Sequence, residues 1–195
     1  MDPLRRSLLG TAAATLLAGN ARPLRAGDEP ADLHDPIPAP PAKPTPGRAG
    51  DFAFLDGEWR IRHWRRREGE PAWDAFDGAA TCRSLLGGVA SVEELRIPAR
   101  DFSGMGLRLL DPATGVWSDH WVNAKVGVLG GAGLTGSFED GAGLFYARET
   151  DAHGEHLGAG IWDRIGDGRC RWRQAASRDG GRTWTVRWIM HWSRV

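Results

Sequence analysis

His63 stands two residues after Ile61 and four after Trp59, so on an extended strand all three side chains share one face. An imidazole held on such a face can move a proton or accept and donate hydrogen bonds. Gln174 and Glu93 are the polar residues that alternation aims the same way. Glu93 falls on the Ser91, Glu93, Leu95, Ile97 face, and a carboxylate beside His63 could orient the ring for acid–base work. The competing reading is a core histidine with its hydrogen bonds met. Trp172, Gln174, Trp188, Met190 and Trp192 form a second set, which suits a flat apolar or aromatic ligand. The same tryptophans could instead fill the interior.

Other chemistries are weaker. His153-Gly154-Glu155-His156 has a spacing that suits zinc, yet it reads as a hairpin loop, where solvated polar residues are ordinary. Cys82 and Cys170 have no neighbour in sequence that would activate a thiolate. Arg60, Arg62, Arg65, Arg66 and Arg67 read as an outer face running into a loop. With 25 Lys and Arg against 25 Asp and Glu, no net field favours nucleic acid or an anionic membrane.

These residues must be positioned by strands. Turn signals recur at strand-length intervals, among them Leu86-Gly87-Gly88, Asp111-Pro112-Ala113-Thr114-Gly115, Glu139-Asp140-Gly141, Gly166-Asp167-Gly168 and Asp179-Gly180-Gly181. The runs between them lack a helical period. About ten strands follow, joined mostly by hairpins, which predicts an all-β, up-and-down antiparallel barrel after a short helical turn near Asp51. An open β-sandwich is the alternative. In the last strand Trp184, Val186, Trp188, Met190 and Trp192 alternate with Thr185, Arg187, His191 and Ser193, and the first set is expected inside. In a closed barrel Cys82 on the second strand and Cys170 on the ninth lie three inter-strand steps apart, so two free, buried thiols are expected.

The N-terminal quarter reads differently. Arg5-Arg6 precedes an apolar run from Gly10 to Ala18 and small residues through Ala21, so residues 1–21 are expected to be a signal peptide of twin-arginine type. The run is too short to span a bilayer. Nine of the 12 prolines fall in residues 1–50, which predicts a disordered, semi-rigid linker over 22–50. Residues 51–195 are then one domain of a periplasmic or secreted protein.

Phe52-x-Phe54-Leu55-x-Gly57-x-Trp59, Leu85-Leu86-Gly87-Gly88, Asp111-Pro112-Ala113-Thr114-x-x-Trp117, Phe138-Glu139-Asp140-Gly141 and Gln174-Ala175-x-Ser177-x-Asp179-Gly180-Gly181-x-Thr183-Trp184, followed by Trp188-x-Met190, resemble a bacterial lipocalin-like (calycin-type) family of unknown function. The resemblance covers the whole of 51–195 and implies the barrel. It also implies that Trp59, after Gly57, stacks on an arginine near the end of the last strand, for which Arg194 is the candidate. The expected function is binding of a small hydrophobic or aromatic molecule, with no cofactor. A lyase or isomerase using His63 is the alternative. A further one is haem binding, as in the similar barrel of nitrobindin, where His191 holds the place comparable to the iron-binding histidine, although alternation turns it outward.

Overall fold

The computed structural model describes residues 30–67, 69–129 and 131–195. The segment read as a signal peptide lies outside the described residues. Ten strands close into one antiparallel barrel: β1 (Gly57–Arg66), β2 (Trp73–Leu85), β3 (Ala90–Ile97), β4 (Phe102–Asp111), β5 (Val116–Asn123), β6 (Leu134–Glu139), β7 (Ala142–Asp151), β8 (Gly154–Gly166), β9 (Arg169–Ser177) and β10 (Thr185–Arg194). Each pairs with its neighbour in sequence, and β1 pairs with β10, which leaves no free edge. This is the up-and-down barrel that the turn spacing predicts. Among the described residues no helix is long and apolar enough to cross a membrane.

One end is closed. A single 3₁₀ turn, Ala53–Leu55, crosses it and puts Phe52, Phe54 and Leu55 against the inward side chains Trp59, Trp117, Phe138, Phe145 and Trp162. Trp59 donates its indole N–H to the Leu55 carbonyl at 2.6 Å. The Arg194 guanidinium lies 4.4 Å from the Trp59 ring centroid and donates to the carbonyls of Asp56 and Phe54, satisfying groups the short turn leaves open. Gly57, at φ +123, makes this possible, because a Cβ there would lie 2.5 Å from the arginine.

β10 corrects one expectation. Its register shifts between Val186 and Trp188, a β-bulge that spends an extra residue and exchanges the faces. Trp188, Met190 and Trp192 face the lumen, whereas Trp184 and Val186 pack outside with Ile189, Trp73 and Tyr146. Strict alternation across the whole strand had placed all five inside.

Of the disordered, semi-rigid linker expected over 22–50, residues 22–29 lie outside the described residues, and 30–50 lies along the barrel as a strap. Arg171, 3% exposed, donates to Asp32 at 2.6 Å and pairs with Asp35 and Asp163. Arg173 donates to the Asp35 and Pro36 carbonyls, and Tyr146 donates to the Pro38 carbonyl. Leu33 and Ile37 cover the outer apolar cluster. Proline keeps the strap extended, while two aspartates and buried arginines on β9 hold it down. Proline spacing alone could not disclose those partners.

Candidate functional site

The register of all ten strands fixes which residues line the lumen, and they sort into two levels. Near the closed end lie Trp59, Trp192, Trp162, Trp117 and Phe145, all buried to 2% exposure or less, in edge or tilted ring contacts. Trp192, expected to touch a ligand, therefore belongs to the packed floor. Cys82 and Cys170 are free and buried at this level, and burial pushes both thiols up, Cys170 to about 12.

A charged cluster crosses the same level. Arg108, on β4, donates through Nη2 to Glu93 on β3, and its Nε lies 3.6 Å from Asp119 on β5. Its guanidinium stands 5.1 Å from the ring centroids of both Phe52 and Trp162. Gly106, opposite Glu93 in register, leaves room for the pair. Burial pushes the Asp119 carboxyl up to about 6, with Arg108 opposing and Glu93 reinforcing. Glu93 thus serves Arg108, not His63. Glu93 is in register with Cys82 and His63 with Phe76, six residues along β2 and about 20 Å at 3.4 Å per residue. The acid–base pairing expected of His63 and Glu93 does not form.

Toward the open end the lumen wall is made of Phe76, Phe102, Trp121, Leu134, Trp172, Gln174, Trp188 and Met190. Trp172 and Trp188 are half-buried and meet edge to face at 6.0 Å. Trp121, 40% exposed, stacks on Phe102 at 6.2 Å over Gly104, where a Cβ would collide with the indole. Gln174 is exposed, and Arg65, expected on the outer face, instead follows the period of Trp59, Ile61 and His63 and covers the Trp188 ring with its guanidinium at 4.6 Å. Met190 is buried beneath.

His63 is fully buried at the base of this wall. It stacks on Phe76 at 4.7 Å with 12° between the planes, and its Nδ1 accepts the Trp188 indole N–H at 3.2 Å. Nδ1 as acceptor places the proton on Nε2, which is buried and has no partner. Gly78 leaves room for that edge, since a Cβ there would lie 2.6 Å from Nε2. Burial, reinforced by Arg62 and Arg65, pushes the imidazole down to about 3, so it is neutral at any ordinary pH.

The remaining candidates fall elsewhere. His191 is on the outer wall, 3.0 Å from Asp32 of the strap and 4.9 Å from the Trp64 ring, and cannot reach a group in the lumen. His156 has Nε2 3.1 Å from Glu149 and Nδ1 3.6 Å from Asp151. Among the described residues no group of three or more His, Cys, Asp or Glu could hold a metal ion. Two clefts, of about 170 and 410 Å³, open on the outer wall along the strap. Neither includes any of the proposed ligand residues.

Sequence reasoning missed Trp121, Phe102 and Leu134 as wall residues, and of the Arg108 cluster it found only Glu93. Alternation of Trp117, Asp119 and Trp121 on β5 carried the signal for the first of these. The pairing of Arg108 with residues on two other strands left none.

No family model matches the chain, and no curated protein matches it. Among solved structures it is similar to a protein of unknown function from the DUF3598 family of Nostoc punctiforme, at 15% sequence identity and a TM-score of 0.46 over 80% of this chain. The match covers 52% of that protein's chain, so this chain spans about half its length.

Proposed function

We propose that this is an exported, lipocalin-like barrel that binds a small molecule with a flat apolar body in the open half of its lumen. The observation that carries the reading is the wall of Trp121, Trp172 and Trp188. These are three large aromatic faces left partly uncovered on the inward side of the barrel, above a floor already filled by other rings. Indoles that served only to fill the interior would be buried like Trp59 and Trp162. Gln174 and Arg65 stand at the mouth as polar groups that fix the orientation of a ligand.

Recognition fits the site better than proton transfer. A general acid or base works best with a pKa near the operating pH, and His63 at about 3 is far from it. The twin arginines and apolar run at the N-terminus support export to the periplasm or beyond.

The test is a tryptophan-fluorescence and indole N–H NMR titration against a library of aromatic lipophiles, with the Trp188 signal assigned through Trp188→Phe. Saturable shifts at Trp121, Trp172 and Trp188, with Trp59 and Trp162 unmoved, are expected. Absence of any shift across the library means that the lumen is simply filled.

A further inference from the structure

Between β5 and β6, at the open end of the barrel, the structure describes residues 124–129 and 131–133. This loop exposes Val126, Val128 and Leu129 by 62%, 57% and 50%. Its base is fixed: the backbone N–H groups of Val126 and Gly127 donate to the Asn123 carbonyl at 3.0 and 2.8 Å, and that of Lys125 donates to the Asn123 side chain at 2.9 Å. Gly127 turns at φ +67 with open space around it. Lys125 is the loop's single charged residue, and Asp101 neutralises it at 2.8 Å. Trp121, two residues before Asn123, continues the apolar surface into the lumen through its stack on Phe102.

We propose that Val126, Val128 and Leu129 insert into the surface of a phospholipid bilayer and seat the mouth of the barrel on it. This would let the lumen exchange its ligand with the lipid phase. The purpose of docking rests on the lumen reading, but insertion does not. Three aliphatic side chains held clear of the wall by a pinned loop gain by leaving water, and an indole at the boundary suits the interface between acyl chains and headgroups. A bilayer fits this loop better than a second protein does. Three side chains on one loop are a fraction of the roughly 800 Å² per partner that a specific protein interface takes. Because the loop carries one charge and that charge is paired with Asp101, insertion does not call for an anionic lipid and is expected to depend little on salt.

The test uses the full chain with Val128→Cys carrying a nitrobenzoxadiazole label. Cys82 and Cys170 are buried and do not compete for the reagent. The control is Leu86→Cys, at the closed end, where Leu86 is 76% exposed and equally apolar. With phosphatidylcholine vesicles the label at 128 is expected to shift to the blue and to be quenched by spin-labelled lipid, equally at low and high salt. The label at 86 is expected to stay in water. Three outcomes overturn the proposal: no response at 128, equal response at both positions, or a shift at 128 that grows with protein concentration without vesicles. The last assigns the loop to a second copy of the chain. Ligand titration without vesicles tests the lumen separately, and either reading can fail while the other stands.

Discussion

Trp188 donates its indole N–H to Nδ1 of His63 across the β1–β10 seam, so the residue that presents a face to the lumen also fixes the tautomer of the buried imidazole below it. Trp188→Phe keeps an aromatic ring, though a smaller one, and removes the donor. It leaves a buried acceptor unpaired and is expected to cost about 1–3 kcal/mol in urea unfolding. His63→Phe combined with Trp188→Phe removes both partners and should recover part of that loss, which a double-mutant cycle measures.

His63 and Asp119 impose opposite pH dependences. The imidazole is at about 3 when folded against its usual 6.5, so between those values the unfolded chain binds the extra proton and this group's contribution to stability rises with pH. Asp119 is at about 6 when folded against its usual 3.8, so there the native state binds the extra proton and its contribution falls with rising pH. From about pH 4 to 6 the two slopes, each up to about 1.4 kcal/mol per pH unit, cancel. Relative to wild type, Asp119→Asn should therefore gain stability across that window, and His63→Gln should lose it. Urea midpoints at pH 4, 5 and 6 read both signs; parallel profiles for all three proteins would refute the pair of shifts.

Arg108 and Glu93 are each about 3% exposed, and removing one leaves the other as a buried charge without its partner. Arg108→Met is expected to destabilise by about 3–5 kcal/mol, and Arg108→Met with Glu93→Gln by clearly less. Thermal unfolding of the single and double variants checks this; additive losses would show that the two side chains are not coupled.

The strap is held by charge at Asp32. Burial of that carboxylate is outweighed by His191, Arg171 and Arg164, which keep its pKa below the usual value. Asp32→Ala should cost about 1.5–3 kcal/mol. It should also raise amide exchange in 30–46 by roughly tenfold or more while the barrel strands stay protected. Uniform exchange through both would mean that strap and barrel open together.

The sequence by itself determined the strands, the turns between them and the inward faces of β1, β9 and the second half of β10. Those follow from local chemistry: glycine and aspartate at turns, period-2 alternation, and a glycine and tryptophan where the chain enters the barrel. Tertiary structure alone decided where alternation breaks, because the bulge at Val186/Trp188 is a matter of register against β9 and moves Trp184 and Val186 to the outer wall. It also decided that Glu93 meets Arg108 and Asp119, since residues 93, 108 and 119 become neighbours only when β3, β4 and β5 pair. The strap follows the same logic: Asp32 finds Arg171 across 139 residues of chain, a distance over which composition predicts only an extended segment. Periodicity reports which way a side chain points, and only closure of the barrel reports what it meets.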